Sequence, residues 1–84
     1  TSADLAILAA IISSFRNRAI SKETVFIGEV SLVGDIREVY QLDQRLKEAA
    51  SQQITKALIP KKPLEKTTVK CYEIDEVNKL LEWF

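Results

Sequence analysis

Residues 25–39 read Val-Phe-Ile-Gly-Glu-Val-Ser-Leu-Val-Gly-Asp-Ile-Arg-Glu-Val, and this stretch decides the fold class. Its first part, residues 25–30, is short and rich in the β-branched and aromatic side chains that favour strands. Residues 31–34 end on a glycine and can turn the chain into an antiparallel partner over residues 35–39. The stretch therefore predicts a β-hairpin.

A helix is predicted on each side of this hairpin. Thr1, Ser2 and Asp4 offer hydroxyl and carboxylate caps for a first helix that runs to about Phe15. From Leu42 onward, apolar residues recur at the spacing of one helical face, and charged residues fill most of the remainder. The apolar residues of this second helix are Leu42, Leu46, Ala49 and Ala50.

The last third of the chain predicts two strands and a closing helix. Residues 56–59 read as a buried strand that stops at Pro60, and residues 69–72 read as a short strand after a loop over residues 61–68. Asp75 can cap the final helix. The predicted order is α-β-β-α-β-β-α, without an internal repeat or a linker, which makes one α/β (α+β) unit.

Composition limits the chain to one small domain. Its 84 residues include twelve basic and twelve acidic side chains, 46 % hydrophobic residues and only four Gly plus Pro, a profile of a globular fold rather than a disordered segment. The longest apolar run, residues 5–12, is too short to span a bilayer, and no membrane partner is expected. Cys71 is the only cysteine. An intrachain disulfide and a cysteine zinc site are therefore excluded, which fits a reducing cytoplasm.

Residues 5–12 are apolar on every side of the predicted helix. Such a helix must be covered all round, and 84 residues offer little material to cover it. We therefore expect Thr1 to lie inside a larger domain, whose earlier strands precede the first helix.

Four stretches carry a resemblance to a known family. They are Thr-Ser-Ala-Asp-Leu at residues 1–5, Ser-Ser-Phe-Arg-Asn-Arg at 13–18, the segment from Gly28 to Val39, and Arg-Leu-Lys-Glu-Ala-Ala at 45–50. Together they resemble the peptidase-like domain of Lon and, more closely, the C-terminal Lon-protease-like domain of the RadA/Sms family of DNA-repair proteins. The resemblance covers residues 1 to about 60. It implies part of the Lon-protease-like fold, related to ribosomal protein S5 domain 2, over residues 1–84.

The same resemblance places Ser2 and Arg45 where Lon has its nucleophilic serine and catalytic lysine. A general base must lose its proton near working pH, which a guanidinium effectively never does. Lys47 lies two positions later, turned by roughly 200° around the helix. The chain has no histidine for a Ser-His-Asp triad. We therefore expect no catalysis, and we expect Ser2 to cap the first helix.

The family implies a cytoplasmic, ring-forming ATPase that acts on branched DNA. Its ATP, Mg and Zn sites belong to other domains of the parent protein, and no cofactor is expected within the 84 residues. The expected role is that of an oligomerisation scaffold in a homo-oligomer, with a surface that contacts DNA. Two alternatives are an active Ser-Lys peptidase domain and a module that only binds protein.

Several basic residues are candidates for contact with DNA or with a neighbouring subunit. The Arg45 guanidinium can pair with a carboxylate, anchor an interface or bind phosphate. Asp4 and Glu29 are its nearest carboxylates by motif, and a salt bridge from Arg45 to Asp4 would close the former active-site cleft. The candidates are Arg16, Arg18, Arg37, Arg45, Lys47, Lys61 and Lys62.

Overall fold

The computed structural model describes residues 2–39 and 41–84, apart from the side chains of Ser2 and Ala3. This part of the chain forms a mixed α/β domain in which short strands alternate with helices. The elements are β1 (Ser2–Asp4), α1 (Leu5–Phe15), β2 (Thr24–Phe26), β3 (Glu29–Ser31), β4 (Ile36–Arg37), α2 (Leu42–Ser51), β5 (Lys56–Ile59), β6 (Lys70–Glu73) and α3 (Val77–Leu81).

The strands form two three-stranded sheets. One is antiparallel with the order β1-β3-β4, and the other is parallel with the order β2-β5-β6. The predicted hairpin is confirmed in β3 and β4, which pair Glu29 with Arg37 and Val30 with Ile36. The predicted strand over residues 25–30 is divided, because its first half pairs in parallel with β5 instead.

Residues 27 and 28 carry the chain from the parallel sheet to the antiparallel one. The Ile27 amide donates to the Leu58 carbonyl at 3.0 Å, and the Gly28 carbonyl accepts from the Leu5 amide at 2.9 Å. A Cβ atom on Gly28 would lie 3.1 Å from Ile36 Cγ2 and 3.3 Å from Leu5 Cδ2. Gly28 is therefore a point of close packing, because α1 and the hairpin both approach it.

The parallel sheet separates two apolar clusters because successive residues of a strand point to opposite faces. On one face Leu5 and Ala9 of α1 pack with Leu58. On the other face Leu46 of α2 packs with Ala57. The two helices therefore cover opposite faces of the same sheet, and the predicted inner face of α2 is confirmed.

Three predictions about helix starts are corrected. A strand, β1, precedes α1, so the observed order is β-α-β-β-β-α-β-β-α. The cap of α1 is Asp4, whose side chain accepts from the Ala6 and Ile7 amides, whereas Ser2 lies in β1, two residues before the cap. The residue that precedes α3 is Glu76, without a side-chain cap, and the Asp75 carboxylate pairs with Lys79 at 2.6 Å.

The outward face of α1 is open. Ile7, Ile11 and Phe15 are 62 %, 59 % and 91 % exposed. The described residues therefore cover only the inner side of this apolar helix, as its sequence led us to expect. None of the described helices combines the length and the apolar character needed to cross a membrane.

Candidate functional site

The amino end of α2 and the loop after β5 enclose a groove of about 840 Å³. Its lining comes from residues 38–39, from residues 41–44 and Lys47, and from Lys61, Lys62, Leu64 and Glu65. Three of these side chains are lysines. The groove is therefore the place where the described residues bring together basic groups that lie far apart in the sequence.

Two hydrogen bonds hold the loop in position. The Lys62 amide donates to Glu73 Oε1 of β6 at 3.0 Å, and the Glu65 amide donates to Asp43 Oδ1 in the first turn of α2 at 3.1 Å. Pro60 ends β5 just before this loop. The loop therefore folds back over the amino end of α2 and forms one wall of the groove.

The lysines of the groove are only loosely neutralised. Lys47 Nζ lies 3.2 Å from Glu65 Oε2, and Lys61 Nζ lies 3.6 Å from Glu38 Oε2; all four side chains are mostly exposed. Exposed pairs of this kind contribute about 0–1 kcal/mol. Lys62 takes part in no ion pair with the described residues. Three carboxylates, those of Glu38, Asp43 and Glu65, line the same groove, so an anion could reach the lysines only by displacing these weak ion pairs.

Arg45 lies on the exposed side of α2 and does not line the groove. The predicted salt bridge to Asp4 is wrong, because the Asp4 carboxylate caps α1 and no ion pair among the described residues includes Arg45. The side chain of Ser2 lies outside the described part of the structure. The placement of Ser2 and Arg45 at the positions of the Lon serine and lysine therefore stays a prediction.

The other predicted basic residues lie away from the groove. Arg16 and Arg18 follow α1, and Arg16 Nη1 donates to the Leu81 carbonyl of α3 at 3.3 Å. This contact ties the carboxyl end of α1 to the last helix. Arg37 is exposed on β4 and, like Arg16 and Arg18, does not line the groove.

The groove also contains residues that the sequence analysis missed. Leu64 is 89 % exposed beside the lysines, and Asp43 anchors the loop. Two features of the sequence could have pointed to these residues. Pro60 and Pro63 flank the two loop lysines, and Asp43 places a carboxylate in the first turn of α2. That signal indicates a constrained loop but does not reveal which helix it contacts.

The titratable groups whose pKa values are shifted lie outside the groove. Burial raises the pKa of the Cys71 thiol, which disfavours the reactive thiolate. A hydrogen bond from Lys79 lowers the pKa of Asp75, and the same contact raises the pKa of Lys79. In the part of the chain that the structure describes, no three acidic or cysteine side chains are grouped as metal ligands.

Comparison with known proteins identifies relatives along the whole chain. Residues 1–63 match the family described as subunit ChlI of Mg-chelatase. The DNA repair protein RadA of Campylobacter jejuni is 57 % identical over 83 residues, which are 99 % of this chain and 19 % of that protein. RadA of Helicobacter pylori is 52 % identical over 80 residues, covering 95 % of this chain and 18 % of the relative.

A more distant relative gives the same result. RadA of Escherichia coli is 40 % identical over 80 residues, covering 95 % of this chain and 17 % of the relative. The chain thus spans about a fifth of the length of the curated relatives that it matches. The chain belongs to the family described as subunit ChlI of Mg-chelatase, and it is homologous to the DNA repair protein RadA over nearly its whole length.

Proposed function

We propose that this chain is a non-catalytic, Lon-like domain of a RadA-type DNA repair protein and that it presents a basic surface to DNA. The matches to proteins named for DNA repair support this role. These matches cover 95–99 % of the chain, whereas the match to the family named for a chelatase subunit ends at residue 63. In the whole protein, ATP, Mg and Zn would act in other domains, and the protein would work in the cytoplasm.

The chemistry of α2 supports a role without catalysis. Arg45 stands where a Lon-type peptidase would have its lysine, and a guanidinium is an unsuitable base. Lys47 is the only lysine of α2, and its ammonium is exposed and paired with Glu65. It lacks the buried, apolar surroundings in which a lysine can serve as a general base.

The observation that carries the DNA role is the convergence of Lys47, Lys61 and Lys62 on one groove. A DNA phosphate could replace Glu65 or Glu38 as a lysine partner, because an exposed ion pair is weak and a charge-assisted bond to phosphate is strong. Displacement of counterions from DNA would then supply binding energy.

The tip of the β3–β4 hairpin supports a role as an oligomerisation scaffold. Leu32 and Val33 occupy the turn and are 85 % and 80 % exposed. Two large apolar side chains exposed on a projecting turn have the character of a contact surface, which a neighbouring copy would cover. The proposed oligomer is a ring of identical subunits.

The DNA role is tested by charge reversal in the whole protein. The double variant Lys61→Glu and Lys62→Glu should weaken binding to single- and double-stranded DNA. The slope of log K against log salt should also fall, by about 0.7 to 0.9 for each lost phosphate contact. The double variant Lys22→Glu and Lys66→Glu is the matched control, because it changes the net charge equally and neither lysine lines the groove.

The result that would contradict the DNA role is an equal effect of the groove variant, at Lys61 and Lys62, and of the control on affinity and slope. In that case the domain would bind protein only. Circular dichroism spectra of both variants would establish that each retains its fold.

The scaffold role is tested at the hairpin tip. Replacing Leu32 and Val33 with aspartate should lower the molar mass of the whole protein, measured by light scattering after gel filtration. Leu64→Asp is the control, since Leu64 is equally exposed but lies in the groove. An unchanged mass for the tip variant would remove the tip from the subunit interface.

A further inference from the structure

Two lysines lie side by side where the strands of the parallel sheet begin. In the pairing of β5 with β6, Lys56 stands directly opposite Lys70, and both residues are exposed. The residues two positions later, Leu58 and Tyr72, pack in the cluster beneath α1, so the lysine pair lies on that same face of the sheet. Like charges on neighbouring strands repel each other. No ion pair of the described residues includes either lysine, so this repulsion is left for an anion to relieve.

Two aromatic side chains adjoin the lysine pair on this face. Lys70 Nζ lies 5.4 Å from the centre of the Tyr72 ring. The Tyr72 ring in turn meets the Trp83 indole edge to face, with 4.8 Å between the ring centroids and an angle of 69°. Trp83 is 43 % exposed. Part of the indole therefore packs on Tyr72, while the rest is open to solvent close to a lysine.

The contacts on both sides of Trp83 hold the indole in place. The Trp83 amide donates to the carbonyl of Leu80 at 3.0 Å, and the Leu80 side chain is fully buried. The next residue, Phe84, stacks on Phe26 with 6.1 Å between the ring centroids. The exposed part of the indole is therefore preorganised, which reduces the entropy lost when a ligand binds to it.

We propose that this corner, formed by Lys56, Lys70, Tyr72 and Trp83, binds one nucleotide of single-stranded DNA. The base would stack on Trp83, and the adjoining phosphate would lie at the lysine pair. Proteins that bind single strands combine aromatic side chains with basic groups, because every base has a face for stacking and every phosphate needs a cation. In a duplex the bases stack on one another, and exposing one costs free energy, so the corner would select single strands.

The corner is separate from the groove. None of its four residues lines the groove, and the described lining of the groove contains no aromatic side chain. The groove lysines can contact phosphates of single and double strands alike, whereas the corner offers a ring as well as cations. The proposal rests on the proposed DNA role and adds to it a second contact that reads the strandedness of the DNA.

The stacking contact is tested in the whole protein with two labelled single strands. One is an oligothymidylate, and the other has the same length and the same phosphates but abasic sites throughout. Trp83→Leu should lower the affinity for the oligothymidylate about fivefold or more, as expected for the loss of one stacked base, and leave the affinity for the abasic strand unchanged. Trp83→Phe, which keeps an aromatic ring beside Tyr72, should retain the preference for bases. Fluorescence anisotropy measures all of these affinities.

The phosphate contact is tested at the lysine pair. Lys70→Gln should weaken the binding of both strands by the same factor and lower the slope of log K against log salt by about 0.7, the value for one phosphate contact on a single strand. Lys66→Gln is the matched control, because it removes the same charge from an exposed lysine that belongs neither to the corner nor to the groove lining.

Equal losses of affinity for the two strands in Trp83→Leu, or no loss, would overturn the proposal, and so would loss of the preference for bases in Trp83→Phe. Equal effects of Lys70→Gln and Lys66→Gln would overturn the phosphate contact. If the corner variants bind both strands normally while the groove variant at Lys61 and Lys62 loses affinity, the DNA role stands and the corner alone is rejected.

Discussion

The helices α1 and α2 pack on opposite faces of one parallel sheet, yet they present different surfaces to their surroundings. Their inner faces are alike, since Leu5 and Leu46 are each almost fully buried. Outward, α2 carries charged groups such as Lys47 and Glu48, whereas α1 carries a stripe that includes Phe15. The difference indicates that α2 faces solvent and serves the groove, whereas the outward face of α1 has the apolar character of a contact surface.

The largest effects on the free energy of unfolding are expected on the inner faces of the two helices, which are both buried. In this chain, Leu5→Ala and Leu46→Ala should each lower the free energy of unfolding by about 2–5 kcal/mol, because each leaves a cavity. Ile11→Ala and Glu48→Ala, on the outward faces, should change it by about 0.5 kcal/mol or less. Urea unfolding followed by Trp83 fluorescence measures all four. A cost for Ile11→Ala as large as that for Leu5→Ala would show that the outward face of α1 is already covered.

An intermediate effect is expected where α1 meets the hairpin. Gly28→Ala should destabilise the chain by about 1–3 kcal/mol, since its methyl group would crowd Leu5 and Ile36. Gly34→Asn is the control: φ at Gly34 is +91°, which asparagine tolerates better than most residues, and no atom lies within 4 Å of its Cβ position. If urea unfolding showed the same loss of unfolding free energy for both variants, the close approach of α1 at Gly28 would be contradicted.

The smallest effects on stability are expected at the amino ends of the helices, where α1 has a side-chain cap and α2 has none. Asp4→Ala removes the cap of α1 and should cost about 1 kcal/mol. Gln41, before α2, has φ +57° and makes no side-chain cap. Gln41→Gly should therefore stabilise the chain by up to about 1 kcal/mol, whereas the control Gln44→Gly, inside the helix, should cost about 1 kcal/mol. Destabilisation by Gln41→Gly in thermal unfolding would contradict the strained backbone at α2.

Local periodicity predicted the parts of the fold that depend on neighbours in the sequence. The inner stripe of α2 and the strand at residues 56–59 agree with the structure. The division of residues 25–30 was missed, because its cause is parallel pairing with β5, about thirty residues later in the chain. β1 was missed because three residues have no detectable strand pattern without their partner β3.

The candidate site shows the same division between local and distant information. Lys47, Lys61 and Lys62 were each singled out in the sequence. Their convergence depends on the contact between Asp43 and Glu65, twenty-two residues apart, which no local pattern reveals. The predicted pairing of Arg45 with Asp4 failed because the Asp4 carboxylate binds the helix amides that lie nearest to it.

The most direct test of the contrast between α1 and α2 is a structure of the whole protein bound to DNA, determined by electron cryomicroscopy. We predict that Ile7, Ile11 and Phe15 are buried in the assembled protein, while Glu48 remains in solvent. An outward face of α1 that stays open to water in the assembled protein would contradict the account.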